Sequence, residues 1–187
     1  MNRNELLFLT GFMGTGKTTL GRVIANCLGW DFYDIDREIE KDSGCSVSKI
    51  VIENGEKYFR ELEKTKLIEL CQKKNAVISL GGGSLIDLSN RKLCKSHGLI
   101  IYLKAELPII YQRLRKKTNR PLFRSEMEEE MSEKEAMEKL TVLLEQRREG
   151  YEDADITIET DARDFGKSID KIVRRIRTGK SDTRRII

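Results

Sequence analysis

Gly11-Phe12-Met13-Gly14-Thr15-Gly16-Lys17-Thr18 fits G-x-x-x-x-G-K-[ST], a pattern that carries meaning only as the turn between a buried strand and a helix. Both flanks are present. Leu6-Leu7-Phe8-Leu9 is a short apolar run closed by Thr10 and Gly11, and Leu20, Val23, Ile24, Cys27 and Leu28 recur at helical spacing from Lys17 onward. Such a loop turns its backbone N–H groups onto phosphate oxygens, and the helix behind it adds a positive dipole end. A lysine at position 17 bridges β- and γ-phosphates, and a hydroxyl at position 18 is a hard oxygen ligand suited to Mg²⁺. Gly14, Thr15, Gly16, Lys17, Thr18 and Thr19 are therefore the expected nucleotide contacts. The plainer alternative is a glycine-rich turn with a chance lysine. A dinucleotide loop fits less well: Gly14 and Gly16 make G-x-G, but the third glycine would fall on Thr19.

The rest of the chain extends the same pattern. Short strands are predicted at Phe32–Ile35, Ala76–Leu80, Leu99–Leu103 and Asp155–Glu159, with a long amphipathic helix over Gly55–Lys74 and a helix capped by Asp87. Strands alternating with helices predict an α/β, three-layer fold, a five-stranded parallel sheet flanked by helices. With 187 residues and 39% hydrophobic content the chain is expected to form one domain over 1–171, followed by a basic tail over 172–187.

Composition narrows the alternatives. The net charge is only +4 although 35% of residues are charged, and aromatics are 6%, which is poor support for a nucleic-acid stacking surface. No apolar run reaches 18 residues, so no membrane span is expected. Cys27, Cys45, Cys71 and Cys94 are widely spaced and read as reduced thiols of a cytoplasmic protein. His97, the one histidine, stands before Gly98 and reads as a helix-end residue, which leaves little for a zinc site or a Ser-His-Asp triad.

Between residues 113 and 139 the charges separate. Arg113, Arg115, Lys116, Lys117, Arg120 and Arg124 run without an acid, and Glu126 to Lys139 then holds seven glutamates against two lysines. A pair of solvated helices would account for this. Beside a phosphate loop, a mobile lid over about 113–130 whose basic part reaches the phosphates is the sharper expectation.

The acceptor side is read from three further motifs. Asp34 and Asp36 end the second predicted strand, beside the phosphate loop in a parallel sheet. One acid can hold Mg²⁺ through water and the other can orient a hydroxyl; a helix cap is the ordinary alternative. Arg60 and Glu63 are neighbours at i, i+3, which makes either a surface ion pair or a guanidinium held ready for a carboxylate. Gly81-Gly82-Gly83 follows a strand and admits close approach of a ligand, or is a flexible turn.

Taken in order, the phosphate loop, D-x-D at 34 and 36, F-R-x-x-E at 59 to 63, the triple glycine, Arg120-Pro121-Leu122, and Arg147 with Tyr151 resemble the shikimate kinase family over about residues 5 to 165. The resemblance implies a sheet of the nucleoside-monophosphate-kinase type and transfer of the γ-phosphoryl group of ATP to the 3-hydroxyl of shikimate, with Mg²⁺ as cofactor. It implies that Lys17 and Thr18 serve the phosphates and the metal, and that Asp34 serves the metal through water. Asp36 would bind ring hydroxyls and take the proton, while Arg60, Gly82 and Arg147 would hold the acceptor. Arg120 would be the lid arginine on the phosphates, and Arg113 would lie near adenine. One departure stands out. Where the family usually shows R-x-P-x-Y, this chain has Arg147-Arg148-Glu149-Gly150-Tyr151, which leaves Arg147 and Arg148 as competing candidates. Small molecules are the expected partners of a monomer. The alternatives are another small P-loop kinase acting on a polyhydroxy acid such as gluconate, and a non-catalytic nucleotide-binding relative, which would be expected to have lost Lys17, Asp36 or Arg120.

Overall fold

The computed structural model describes residues 6–116, 132–160 and 165–178. Its centre is a five-stranded sheet in the order β2-β3-β1-β4-β5, every neighbouring pair parallel. The strands are β1 (Leu6–Thr10), β2 (Asp31–Asp34), β3 (Ala76–Ser79), β4 (Gly98–Lys104) and β5 (Ile156–Glu159). The helices are α1 (Lys17–Leu28), α2 (Ile35–Ser43), α3 (Val47–Leu70), α4 (Leu88–His97), α5 (Leu107–Arg115), α6 (Glu133–Glu152) and α7 (Phe165–Thr178).

Strand alternation sorts the core into two layers. Leu6 and Phe8 of β1 join Ile78 and Ile100 beneath α2, α3 and α4, with Ile35, Ile39, Phe59 and Leu67. Leu7 and Leu9 face the other way, with Val77, Ile101, Leu103 and Ile156, and are covered by Leu20 and Ile24 of α1 and Ile169 and Ile172 of α7. A strand buried on both faces reads as an unbroken apolar run, which is why Leu6–Leu9 shows no polar alternation. A third cluster places α5 and α6 over the phosphate loop: Phe12, Tyr102, Ile110, Leu114, Ala136, Leu140 and Tyr151 pack together.

Gly21 shows how tightly α1 seats on the sheet. A Cβ added there would lie 2.4 Å from Phe32 Cε2 and 3.0 Å from Leu9 Cδ1. Gly21→Ala is therefore expected to cost about 1–3 kcal/mol by overpacking. The melting temperature should fall by about 2–4 °C for each kcal/mol, read by thermal unfolding. An unchanged melting temperature would mean that the α1–β2 contact is loose.

Several boundaries differ from those read in the sequence. α3 is two helical segments that meet at Gly55, where φ is 86° and ψ 161°: the helix expected from Gly55 is the second, and a first segment, capped by Ser46, begins at Val47. The end of α3 comes at Leu70 rather than Lys74. β2 stops at Asp34, and Ile35 is already helical. Asp34 and Asp36 thus do not share a strand face: the first ends the strand and the second lies in the first turn of α2. Of the acidic run from Glu126 to Lys139, the described part is helical from Glu133, with a capping box between Ser132 and Glu135. Glu133 and Glu135 occupy the first turn of α6, where the helix dipole favours negative charge. At the other end of the lid expectation, Arg113 and Arg115 belong to α5; residues 117–131, with Arg120, lie outside the described residues. α7 continues past residue 171 to Thr178 and buries Ile172. His97 does end a helix, α4, with Gly98 at its C-cap. Among the described residues no disulfide joins the four cysteines; Cys71 and Cys94 are buried and Cys27 is exposed. No described helix is long and apolar enough to cross a membrane.

Candidate active site

The sheet order reverses at β1, so the loop leaving it opens into the crevice at the carboxyl ends of the strands, the usual ligand position of such sheets. Gly16, at the N-cap of α1, takes φ 93°, a conformation that favours glycine and ends the loop on the helix N-terminus. Thr15 is buried and its hydroxyl donates to Phe12 O at 2.8 Å, bracing the loop from within. Lys17 Nζ folds back over the loop, donating to Gly11 O at 2.7 Å and to Phe12 O at 3.2 Å. Thr18 Oγ1 donates to Asp34 Oδ2 at 2.7 Å, which joins the first turn of α1 to the end of β2. Thr19 is exposed in the same turn.

The pair of Thr18 and Asp34 is a hydroxyl and a carboxylate in contact, the hard-oxygen donor set that Mg²⁺ takes together with water and phosphate oxygens. Among the described residues there is no cluster of three or more His, Cys, Asp or Glu that could hold a metal by itself. The arrangement fits a cation that arrives with phosphates rather than one caged by protein.

Asp36 stands half-buried beside this pair. Its carboxyl is raised to about 6, first by burial, then by the charges of Asp34 and Glu63; Lys17 opposes the shift. A carboxylate held near neutrality within a phosphate-binding crevice is suited to accept a proton.

Asp36, Glu63, Arg147 and Arg60 all meet the triple glycine turn. A Cβ on Gly81 would lie 2.4 Å from Glu63 Oε1 and 3.2 Å from Asp36 Oδ1. One on Gly82 would lie 3.0 Å from an Arg147 terminal nitrogen and 3.9 Å from Gly11 O of the phosphate loop. One on Gly83 would lie 2.6 Å from an Arg60 terminal nitrogen. Each glycine thus makes room for a different side chain. Arg60 is paired on both sides, to Glu63 at 2.8 Å and to Glu56 at 2.9 Å. Arg147 lies over the Phe12 ring with its guanidinium carbon 5.7 Å from the centroid. Tyr151 donates to Gly82 O at 2.5 Å and stacks on Tyr102 with centroids 5.2 Å apart. The two arginines that the sequence left in competition separate cleanly: Arg147 faces the glycine turn, whereas Arg148 is exposed and pairs with Glu145.

Arg113 is tied to the nucleotide side. It donates to Gly14 O at 3.3 Å and to Thr160 O at 2.8 Å, so it braces the loop against the end of β5. Of the expected site residues, Arg120 lies outside the described part, together with Lys117 and Arg124 of the basic run. Ser84 was not singled out. It is buried, its hydroxyl 2.5 Å from Glu63 Oε1, and nothing in the sequence distinguishes it from an ordinary turn serine.

Fold and site together define a P-loop phosphotransferase architecture, a phosphate cradle facing an acid and two arginines. The comparisons with known proteins agree. The shikimate kinase family model matches residues 13–177. Shikimate kinase of Chlorobium chlorochromatii strain CaD3 is 42% identical over 172 residues, covering 92% of this chain and 90% of that protein. The structure of shikimate kinase from Acinetobacter baumannii in complex with shikimate superposes with a TM-score of 0.83 at 35% identity, covering 97% of each chain. That of Bacteroides thetaiotaomicron shikimate kinase gives 0.81 at 32% identity, over 93% of this chain and 97% of the other. The chain belongs to the shikimate kinase family. A gluconokinase from Sinorhizobium meliloti shares the fold alone, at 13% identity and a TM-score of 0.55.

Proposed function

We propose that this chain transfers the γ-phosphoryl group of ATP to the 3-hydroxyl of shikimate, with Mg²⁺ as the metal. One observation carries the reading: a single turn, residues 81–83, abuts Asp36 and Glu63, Arg147 and Arg60 in succession, and a Cβ on its middle glycine would lie 3.9 Å from Gly11 O of the phosphate loop. An acceptor seated on that turn would have its carboxylate against the arginines and a hydroxyl toward Asp36 and the cradle. Two guanidiniums suit a carboxylate, and the backbone of a glycine turn suits the flat approach of a small ring.

In this reading the chain's residues position and neutralise, which is most of what phosphoryl transfer asks of a protein. Gly14 to Thr19 hold the phosphates, and Lys17 leaves its perch on Gly11 O and Phe12 O to meet the β- and γ-oxygens. Thr18 and Asp34 would hold Mg²⁺, which supplies charge neutralisation on the phosphates when bound. Asp36 accepts the hydroxyl proton and aims the oxygen in line. Arg120 would meet the phosphates from the segment above, a role resting on its Arg-Pro-Leu context. Arg113 acts by bracing Gly14, and so supports the nucleotide from beneath rather than by direct reach. Solution in the cytoplasm and action as a monomer are the accompanying expectations.

Arg60→Ala tests the acceptor side. Removing one partner of a desolvated charge pair costs about 2–5 kcal/mol, so the KM for shikimate should rise by roughly 30-fold or more while the KM for ATP moves little. Steady-state kinetics varying each substrate in turn would show it. Equal effects on both constants would make Arg60 a residue of the fold rather than of the acceptor site.

A further inference from the structure

We infer that Ser84 is a positioning residue for the acceptor carboxylate, acting on Arg60 through Glu63; this rests on the proposed shikimate site. The contacts form a closed ring. The Arg60 guanidinium lies against Gly83. Its NH1 donates to Glu63 Oε2 at 2.8 Å. The other oxygen of that carboxylate, Oε1, receives the Ser84 hydroxyl at 2.5 Å. Ser84 follows Gly83 directly, which closes the ring.

A hydroxyl has one proton to give. Ser84 Oγ also lies 3.1 Å from Gly81 O, but the carboxylate contact is far shorter and falls in the range of a charge-assisted O–H···O⁻ bond. The proton therefore goes to Glu63. The serine is itself anchored: its N–H donates to Gly81 O at 3.2 Å, and Asn90 Nδ2 of α4 donates to its carbonyl at 3.0 Å. Ser84 and Glu63 are both buried, at 1% and 0% exposure, so no water competes for either side of the bond.

The consequence is directional. Glu56 also holds Arg60, but from the exposed face, where an ion pair contributes little to fixing geometry. Glu63 is the buried anchor, and Ser84 is the donor that stops its carboxyl from turning. Without the hydroxyl, Oε1 loses its donor and the guanidinium is held at one buried point that is itself loose. Orientation of Arg60 matters only to a ligand that Arg60 grips. The loss should therefore appear in acceptor affinity and not in nucleotide handling.

The test is calorimetric titration of shikimate into the full chain and its Ser84→Ala, Arg60→Ala and doubly substituted variants, beside steady-state kinetics and thermal unfolding. Ser84→Ala should weaken shikimate binding roughly tenfold, the scale of a lost hydrogen bond to a charged group, with kcat and the KM for ATP within about twofold of the parent. In the Arg60→Ala background the same substitution should add almost nothing, because residues acting through one partner are not additive. Ser84→Cys, which keeps a small side chain but donates weakly, should also lose affinity and covers the case in which Ser84→Ala fails to fold. Undiminished shikimate binding in either folded single variant overturns the inference. So does full additivity with Arg60→Ala, which would mark Ser84 as a residue of the turn alone. If the unsubstituted chain binds no shikimate, the acceptor assignment itself has failed, a result distinct from both.

Discussion

Lys17→Ala is expected to lower turnover by at least 10²-fold, the scale of removing one preorganised donor from a developing charge. Lys17 is the only charged group that the loop itself contributes. Its ammonium rests within 2.7 Å of Gly11 O, so it is already placed at the mouth of the cradle. Alanine removes both the charge and the reach while leaving the glycine conformations that shape the loop. Nucleotide binding should weaken less than turnover, since the backbone donors and the α1 N-terminus remain. Single-turnover transfer measured at saturating ATP would separate the two. Turnover within a few-fold of the parent would remove the loop from the chemistry.

Asp36→Asn should keep nucleotide affinity nearly intact and lose on the order of 10²-fold or more in turnover, because a hydroxyl is a poor nucleophile until its proton has an acceptor in reach. The environment adds a pH signature. With its carboxyl raised to about 6, Asp36 is largely protonated at pH 5 and ionised at pH 7. The kcat/KM for the acceptor should therefore climb through about pH 6, and Asp36→Asn should abolish that limb. The same shift has a cost in stability. A group whose folded pKa lies above its unfolded value stabilises the fold below the unfolded value, and that contribution is lost as pH rises through the folded one. The ionised Asp36 needed for transfer is thus the less stable form, and Asp36→Asn should melt no lower than the parent at pH 8. Asp34→Asn, by contrast, should weaken the dependence on Mg²⁺, since Asp34 holds the Thr18 hydroxyl. A variant Asp36→Asn that binds ATP poorly yet transfers normally at saturation would show the two acids in exchanged roles.

Local patterns were legible where local chemistry decides the structure. The run Leu6–Leu9, the loop and the spacing of Leu20 and Ile24 yield β1 and α1 almost to the residue. Gly55 does mark a break between two helical segments; the segment before it, capped by Ser46 and burying Ile50, is what the apolar spacing did not announce. α6 misled. Its buried seam of Ala136, Leu140 and Tyr151 is helical in spacing, but the seven glutamates from 126 to 138 overlap its start, and charge dominates that stretch of sequence. Contacts across long separations left no local trace. Arg113 meets Gly14 from 99 residues away and Thr160 from 47. Arg147 and Arg148 precede Tyr151 equally well on paper, and only the docking of α6 against Gly82 distinguishes them. Ser84 belongs to the same class: its partner Glu63 lies 21 residues upstream on another element.

On the proposed reading, the arginines around the glycine turn select a carboxylate-bearing ring alcohol. ADP release measured side by side with shikimate, gluconate and nucleoside monophosphates, with the product examined by phosphorus NMR, tests it most directly. Rapid, Mg²⁺-dependent ADP release with shikimate alone, and a single new phosphate ester on it, is the expected result. Preferential transfer to gluconate or to a nucleotide, or ADP release that no acceptor accelerates, would contradict it.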